Sequence, residues 1–367
     1  MTAPLRLLAL SPIPVEGAGC RFRIVQYIPA LERAGFSVTV EPFFDAAFFN
    51  LVYRPGHFAG KLALFLRQSV ARLRMLMSRG RYDAFFVYRE AYPFGPALFE
   101  ALLSRTAPII YDFDDAIFLP NSSEANRFVE SLKYPQKVPA IIRRSAAVLA
   151  GNEYLASYAR QYNPAVTVLP TCVDTTVWAP RATPRPAGAR LVIGWIGTPT
   201  TATYMKSLGA SLARLASRHD FELRVSGSGE PLDFPGVKTV NEPWSLERDV
   251  ELFNTCDIGV YPLTDDEWAK GKCGFKAIQF MACGVPVVAA AVGVNKEIIE
   301  DGVNGFLASS DAEWDEKIGR LLSDADLRRR FAEAGRKTIE ERYSLAAHAP
   351  KLAALVRGVV DRKTGGA

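Results

Sequence analysis

Histidine and cysteine are both scarce in this chain, and neither is grouped in a way that suggests a metal site. The 367 residues include three histidines, His57, His219 and His348, which lie far apart. The five cysteines are odd in number and mostly occur within apolar patterns. The sequence therefore indicates neither a disulfide framework nor a metal centre.

A complete dinucleotide fingerprint is also missing. Residues 5–10 have the pattern of a short buried strand, and the loop at 11–19 carries glycines where backbone would approach a ligand, ending at Gly19. The residues after it have the apolar periodicity of a helix. Because this loop lacks the full Gly-x-Gly-x-x-Gly pattern, NAD binding is not supported, and we expect no cofactor.

No apolar run is long enough to span a bilayer. Residues 1–10 are too short, and too soon followed by Ser11-Pro-Ile-Pro, to form a signal peptide. We therefore expect a cytoplasmic protein. The net charge of +5 fits anionic substrates or an anionic membrane surface, but it is too small to indicate a nucleic-acid partner.

The length and composition predict more than one folded unit. A chain of 367 residues exceeds what one core usually holds, and its 49% hydrophobic and 23% charged residues are typical of a globular protein. Residues 179–190 are rich in Pro, Ala and Arg and have no periodicity, which is typical of a linker. We predict domains at 1–182 and 183–344 and a terminal helix within 345–367.

Residues 271–307 form the most informative stretch, with the pattern loop, helix, buried strand, loop and helix start. Lys272 and Gly274 precede the predicted helix, and Lys276 lies in its first turn. A helix N-terminus favours anions, so with both lysines beside it a diphosphate is well accommodated. After the strand at 287–291, the turn at 292–297 would direct Glu297 toward the same place.

The run MACGVPVV at 281–288, followed by GVNKEIIEDGVNGFL at 293–307, resembles the donor half of the GT-B glycosyltransferases, and in particular the GT4-like or group 1 family. The resemblance implies an α/β fold with two Rossmann-like parallel-sheet domains facing across a cleft. It also implies that the helix from 345 crosses back to the first domain. The donor-binding domain would be the second one.

This chain departs from the family pattern at several donor-side positions. The family's two glutamates, eight positions apart, fall on Gly271 and Gln279. Gln279 can still hydrogen-bond ribose hydroxyls, or it is only a half-buried helix residue. Relatives carry an Arg near Thr198 and a Lys near Tyr204, with Lys206 close by here. Lys272 and Lys276 would compensate for that cationic pair, and Glu267 for the missing carboxylate.

The resemblance, together with these patterns, assigns two sets of residues in the second domain. Glu297, which matches the family's later turn, forms the predicted catalytic set with Lys276 and Lys272. The strand from 191 leads into a loop rich in glycine and hydroxyl groups that would hold phosphate oxygens. The predicted donor-binding set is Gly197, Thr198, Lys206, Gly274, Phe275, Gln279, Val294 and Asn295.

In the first domain the resemblance places Gly19, Arg23, Asp114, Asp115 and Glu153 on the acceptor side. Arg23 would meet donor phosphates or an anionic acceptor, or be one of a surface arginine pair. The aspartates would contact an acceptor hydroxyl or a basic side chain, or only cap a loop. Asp112 and Asp114 have the Asp-x-Asp spacing of a metal–nucleotide motif of another fold, but lysines and a helix end would already neutralise the diphosphate here.

Residues 51–81 are basic and apolar together. The segment has the pattern of an amphipathic helix that lies on an anionic bilayer. The alternative is an ordinary helix packed on the sheet with a solvated basic face.

The sequence predicts a metal-independent glycosyltransferase that moves a sugar from a nucleotide-diphosphate donor to a hydroxyl of a glycan or lipid-linked acceptor. The resemblance implies retention at the anomeric carbon and a role in cell-envelope or exported polysaccharide synthesis, at the inner face of the cytoplasmic membrane. The alternative is a catalytically silent carbohydrate- or nucleotide-binding relative, because both glutamates are missing.

Overall fold

Strands and helices alternate along the chain in the computed structural model, which describes residues 3–52, 56–119, 134, 136–183, 185–186 and 188–364. The described residues divide into two units. The first contains those up to Thr171 and those from His348 onward, and the second runs from Cys172 to Ala347. Each unit has a six-stranded sheet within the described residues, and every strand pairing in both sheets is parallel.

The sheet of the first unit has the strand order β2-β1-β3-β4-β5-β6. Its strands are β1 Leu5–Ser11, β2 Phe36–Pro42, β3 Ala84–Tyr88, β4 Ile109–Phe113, β5 Ala147–Ala150 and β6 Val166–Val168. Its α-helices are α1 Ala18–Arg23, α2 Ile28–Arg33, α3 Ala46–Val52, α4 Phe58–Ser78, α5 Leu98–Leu103, α6 Lys137–Arg144 and α7 Glu153–Arg160. The strand order reverses between β1 and β3, which is where ligands bind in open sheets of this kind.

The sheet of the second unit has the order β12-β11-β10-β7-β8-β9 and reverses between β7 and β10. Its strands are β7 Leu191–Ile196, β8 Phe221–Ser226, β9 Lys238–Glu242, β10 Ile258–Tyr261, β11 Val287–Ala290 and β12 Phe306–Ala308. Its α-helices are α8 Ala202–Lys206, α9 Gly209–Ala216, α10 Asp249–Asn254, α11 Glu267–Lys270, α12 Phe275–Ala282, α13 Asn295–Ile298, α14 Asp311–Ser323 and α15 Ala325–Arg342. The final helix is α16, Leu345–Thr364.

Local sequence explains many of these boundaries. The central strands β3, β5 and β11 are continuous apolar or aromatic runs, and β4 departs from this only at Asp112. All residues of these four strands are buried, as expected for strands covered on both faces. Ser310 and Asp324 accept hydrogen bonds at the starts of α14 and α15, so these two long helices begin at capping residues. All five cysteines are buried, and they form no disulfide with one another.

The division between the units falls at Thr171, before the predicted linker at 179–190. The linker packs on the second unit because Arg181 and Arg185 pair with the two oxygens of buried Asp257, at 2.9 and 3.0 Å. Pro184 and Ala187 lie outside the described residues, as do positions 365–367 of the predicted terminal helix. In α16, Arg357 donates to the Ala34 carbonyl of the first unit.

The helices α8 and α9 are separated by a break at residues 207–208. The basic segment at 51–81 contains the 21-residue helix α4, followed by a 3-10 turn at Arg79–Arg81. Residues 53–55 of that segment are outside the described residues. Across the described chain, no helix combines the length and apolarity needed to cross a membrane.

Candidate active site

The N-terminus of α12 meets the turn after β11, and glycine makes this contact possible. Gly274 precedes α12 with a φ of 64°, a left-handed conformation that side chains rarely adopt. A Cβ added there would collide with Ile298 Cδ1, and it would lie 3.1 Å from Val294 Cγ1 and 3.2 Å from Asn295 Oδ1. We call this junction the α12 mouth. It brings the predicted Gly274, Val294 and Asn295 together.

Asn295 fixes the turn after β11. Its side chain is buried, and its Nδ2 donates to the Ala290 carbonyl at the end of β11, at 2.9 Å. Its Oδ1 makes no hydrogen bond among the described residues, although it is buried at the α12 mouth. A buried polar atom without a hydrogen-bond partner costs free energy, and this atom lies at a predicted ligand site.

Glu297 lies differently from the prediction. It is in the four-residue helix α13 and is exposed, whereas its neighbours Asn295 and Ile298 are buried. Burial raises the pKa of Tyr343, and the Glu297 carboxylate adds to that shift. Glu297 is therefore on the exposed side of α13, and the atoms nearest to a Cβ on Gly274 belong to Ile298, Val294 and Asn295.

The two predicted lysines have different surroundings. Lys276 Nζ donates to Gln279 Oε1 at 2.9 Å and lies 5.1 Å from the centre of the Phe253 ring. Lys272 Nζ lies 5.8 Å from the centre of the Trp268 ring. The Lys276 side chain thus extends along α12 toward Gln279. To reach an anion beyond the N-terminus of α12, it would have to break its hydrogen bond to Gln279.

Gln279 is 1% exposed, which corrects the prediction that its amide hydrogen-bonds ribose hydroxyls. It is also more deeply buried than the half-buried alternative. The reason is that every residue of α12 from Ala277 to Ala282 is buried. The amide oxygen of Gln279 serves Lys276 instead.

The loops after β7 and β8 are in backbone contact. A Cβ on Gly197 would collide with the Trp195 ring and lie 2.7 Å from Thr201 Oγ1. A Cβ on Gly227, which has a φ of 79°, would collide with the Gly197 carbonyl oxygen. The sequence analysis missed Gly227, although Gly-x-Gly directly after a strand was the available signal.

The threonines of the β7 loop bond to one another. The Thr198 N–H donates to Thr201 Oγ1 at 2.9 Å, and the hydroxyls of Thr198 and Thr200 are 2.9 Å apart. This loop is therefore a preformed turn whose hydroxyl groups satisfy each other.

Lys206 and Glu267 are both exposed, and neither gains a partner that marks it as part of a phosphate site. Lys206 lies in the last turn of α8. Burial raises the pKa of the nearby Tyr204 hydroxyl. Glu267 pairs with Lys270 at 2.7 Å within α11. That helix lies against the turn after β11, since a Cβ on Gly293 would be 3.0 Å from Lys270 Cα.

In the first unit, an ion-paired cluster lies where β3 and β4 end. Arg89 follows β3 with a φ of 59°, which is strained for a side-chain-bearing residue. Its guanidinium donates to Asp114 Oδ1 at 2.8 and 3.0 Å and also pairs with Asp115. The Tyr88 hydroxyl donates to the same Asp114 oxygen at 2.7 Å. A Cβ on Gly19 would collide with that hydroxyl.

This arrangement explains how the predicted aspartates are held. Burial alone would raise the pKa of Asp114, but the Arg89 guanidinium outweighs it, so the pKa lies below its ordinary value. Asp114 and Asp115 therefore contact a basic side chain, one of the two roles expected for them. The strained Arg89 was not predicted, because nothing in its sequence context signals a left-handed residue.

Arg23 is fully buried, which contradicts both its predicted phosphate role and the surface alternative. Its guanidinium forms a two-pronged pair with buried Asp112, with Nε 2.9 Å from Oδ2. It also donates to the Leu169 carbonyl at 2.8 Å and to Thr171 Oγ1 at 3.3 Å. These partners occupy the side chain, so Arg23 is a structural residue of the first unit.

Glu153 is exposed in the first turn of α7 and pairs with Arg160. The buried Asn152, which was not predicted, accepts from the Leu155 N–H at 2.9 Å and begins that helix. Among the residues that the structure describes, no group of three or more His, Cys, Asp or Glu side chains is arranged to hold a metal ion.

A cavity of about 410 Å³ lies at the opposite edge of the second sheet, before β10 and β11. Its lining includes Arg181, Arg185 and Asp257 and does not include the predicted donor-side residues. The α12 mouth and the glycine loops are instead at the carboxyl ends of the strands, where ligands of such sheets bind.

Solved structures show the class of fold. HepE from Anabaena, solved with UDP and glucose, has a TM-score of 0.69 at 16% identity and covers 96% of this chain and 100% of its own. Sucrose-phosphate synthase from Thermosynechococcus elongatus has a TM-score of 0.70 at 17% identity, covering 98% and 100%. The chain therefore has the GT-B glycosyltransferase fold, as predicted.

Sequence comparison finds a family match over part of the chain. Residues 190–324 match the family described as Glycosyl transferases group 1. A D-inositol 3-phosphate glycosyltransferase of Xylanimonas cellulosilytica is 32% identical over 106 residues, 28% of this chain and 24% of its own. Its counterpart in Mycolicibacterium smegmatis is 28% identical over 228 residues, 62% of this chain and 42% of its own.

The resemblance to group 1 glycosyltransferases is thus confirmed, and the family match lies in the second unit. The chain spans less than half the length of the curated relatives named here.

Proposed function

We propose that this chain is a glycosyltransferase that transfers a sugar from a nucleotide-diphosphate donor to a hydroxyl acceptor. The observation that carries the proposal is the α12 mouth. There a left-handed glycine lets the turn after β11 pack on a helix N-terminus, within the segment that matches the group 1 family. A helix N-terminus stabilises the diphosphate both as it binds and as it leaves with the bond electrons.

UDP is the first donor nucleotide to test, because the similar HepE structure was solved with UDP and glucose. In this proposal the backbone of the α12 mouth and of the Gly197 loop holds the diphosphate. Lys272, and Lys276 once it leaves Gln279, supply positive charge. Glu297 holds the donor sugar or the edge of the phosphate, which requires its exposed side chain to turn toward the ligand.

A thermal-shift panel of nucleoside diphosphates and nucleotide sugars tests donor binding directly. A ligand at a hundred times its Kd stabilises the folded state by about 2.7 kcal/mol, which is easily detected as a rise in Tm. Nucleotide release with each donor that binds then measures turnover. If UDP and the rest of a broad panel leave the Tm unchanged, the proposal fails.

We further propose that transfer needs no divalent metal. In the Asp-x-Asp sequence of the first unit, Asp112 is paired with Arg23 and Asp114 with Arg89. A metal ion would have to break these pairs before it gained the carboxylates as ligands. Transfer in excess chelator should equal transfer in magnesium. Activity that is lost with EDTA and restored by magnesium or manganese would contradict this.

On the acceptor side, Gly19, Asp114 and Asp115 are proposed to line the place where a glycan or lipid-linked hydroxyl binds, with Glu153 at its margin. The family resemblance supports retention at the anomeric carbon and a role in cell-envelope or exported polysaccharide synthesis, in the cytoplasm at the inner face of the membrane. The proton NMR coupling of the new anomeric centre distinguishes retention from inversion.

A catalytically silent nucleotide- or carbohydrate-binding protein is the second candidate. The neutral Gln279 at the position of a family glutamate favours it, because Gln279 is buried and its amide oxygen accepts a hydrogen bond from Lys276. Nucleotide binding without release of nucleotide from any donor, in the presence of glycan and polyprenyl-phosphate acceptors, would favour this candidate over the enzyme.

A further inference from the structure

The helix α4 presents a continuous apolar face to solvent along its whole length. Six large apolar side chains recur at spacings of three or four residues, so they share one side of the helix. Each is between 46% and 85% exposed, and they are Phe58, Leu62, Leu66, Val70, Leu73 and Met77. A folded chain rarely exposes so long an apolar patch unless something covers it.

The opposite side of α4 is firmly packed, so the exposed face is a fixed feature of the first unit. Met75 and Leu76 are buried. Phe65 packs against Phe43 and Tyr92, with ring centres 5.6 and 6.0 Å apart. The Ser69 hydroxyl is 3.0 Å from the Tyr92 hydroxyl.

The charges that α4 itself carries are all positive, and one of them, Arg67, pairs with the neighbouring Asp45. Residues 56–82 contain no Asp or Glu, whereas Lys61, Arg67, Arg74, Arg79 and Arg81 are all within them. Arg67 and Arg74 are exposed beside the apolar face. The structure also corrects the basic-face prediction at one position. Arg72 is 3% exposed and donates to the Glu41 carbonyl, so it belongs to the core.

We infer that this face of α4 binds an anionic membrane surface, with the six apolar side chains inserted among the lipids and the arginines beside the headgroups. A helix of 21 residues is about 31 Å long, so it offers an extended, convex line of contact and no groove for a peptide. A membrane surface fits that shape and that charge.

A second copy of this chain fits the same face poorly. Two α4 helices placed face to face would bring basic side chains together with no acidic residue from either helix to offset them. The apolar positions also lack the regular three-four alternation of a coiled coil, since four-residue steps follow one another from Phe58 to Val70. If the protein is bound to a membrane through α4, it would reach a lipid-linked acceptor from that surface. Only this statement about the acceptor rests on the proposed function.

Flotation with vesicles tests the inference without any donor or acceptor. The purified chain should float with vesicles containing phosphatidylglycerol and much less with pure phosphatidylcholine. The triple variant Leu62→Gln, Leu66→Gln and Leu73→Gln should bind the anionic vesicles at least ten-fold more weakly, because inserted apolar area is lost. Arg67→Gln and Arg74→Gln should each weaken binding roughly five-fold at low salt.

A matched control is available on other surfaces of the chain. Leu98, Val177 and Val303 are 50–62% exposed, similar to the three leucines of α4. Their triple replacement by Gln should leave flotation unchanged. Circular dichroism and Tm verify that both triple variants are folded, and UDP binding should be the same in both, so failure here is distinguishable from failure of the proposed function.

Two results would overturn the inference. One is a parent chain that does not float with anionic vesicles, or an α4 triple variant that floats as well as the parent. The other is a parent chain that is dimeric in solution and becomes monomeric in the α4 triple variant, which would assign the face to a second copy of the chain.

Discussion

The two units differ in the kind of residue that lies at the carboxyl ends of their strands. In the first unit this edge is charged, and its charges pair internally, Arg89 with Asp114 and Asp115 and Arg23 with Asp112. In the second unit the same edge consists largely of glycine backbone in close contact, at Gly197, Gly227 and Gly274.

This difference decides how each edge responds to substitution. Removing a charge from the first edge leaves its partner unpaired in a poorly solvated place, so the loss should appear in stability and its pH dependence. Adding a Cβ to the second edge fills space that the backbone occupies, so the loss should appear in ligand binding.

Arg23→Ala should destabilise the first unit by about 3–5 kcal/mol, because it leaves the fully buried Asp112 without its partner. Denaturant unfolding followed by circular dichroism measures the loss. Arg67→Ala is the control, since its pair with Asp45 is exposed and should be worth less than about 1 kcal/mol. Equal losses in the two variants would show that burial does not distinguish these pairs.

Gly274→Ala should weaken UDP binding roughly a hundred-fold, because the new Cβ collides with Ile298 and opens the α12 mouth. Calorimetry with UDP measures this. Gly236→Ala is a matched control, since Gly236 has a similar φ of 76° but no atom within 4 Å of the added Cβ. If both variants bind UDP like the parent, the nucleotide site is elsewhere.

Arg89→Met should cost about 1–3 kcal/mol at pH 7 and less at pH 3. In the parent the lowered pKa of Asp114 contributes stability that is present above the ordinary carboxyl pKa and lost as pH falls through the lower folded value. Without Arg89, burial should raise that pKa instead, so the penalty grows as the pH rises and the carboxylate ionises.

Unfolding of parent and Arg89→Met across pH 3–7 measures this difference. Arg160→Met, which removes the exposed partner of Glu153, should show a small and nearly constant loss. A penalty for Arg89→Met that is the same at pH 3 and pH 7 would show that Asp114 does not depend on Arg89.

Lys272→Ala and Lys276→Ala should each weaken UDP binding about ten-fold, the low end expected for a charge-assisted contact. The loss for Lys276 should be the smaller of the two, because its bond to Gln279 must be given up on binding. Glu297→Gln should lower turnover more than affinity for UDP. Lys337→Ala, an exposed lysine on α15, is the control, and parent-like affinity in both lysine variants would refute their role.

The fold could be read from the sequence because its signals are local and repeated. The apolar strands at 5–10 and 287–291, the glycines that end helices and the group 1 motif at 281–307 all lie within short windows. They were enough to predict the GT-B fold.

The surroundings of the site residues depend on partners that are far away in sequence. Local sequence patterns do not predict these partners. Arg23 is buried because Asp112 and Leu169, 89 and 146 positions away, converge on it. Arg89 has a left-handed backbone that no neighbouring residue signals. At the α12 mouth the structure brings Gly274, Val294 and Asn295 close together, and their role in donor binding stays a prediction. The prediction was wrong for the ribose role of Gln279, whose burial depends on the packing around α12.

The division of the chain into units has a consequence for biosynthesis. The second unit is a continuous segment, whereas the first is assembled from residues up to Thr171 and from the part of α16 that begins at His348. On the ribosome, every residue of the second unit has been translated before Arg357 exists to bond the Ala34 carbonyl. The first unit is therefore the first to begin and the last to be completed. Until α16 has been translated, the apolar surface of the first unit that α16 covers stays uncovered.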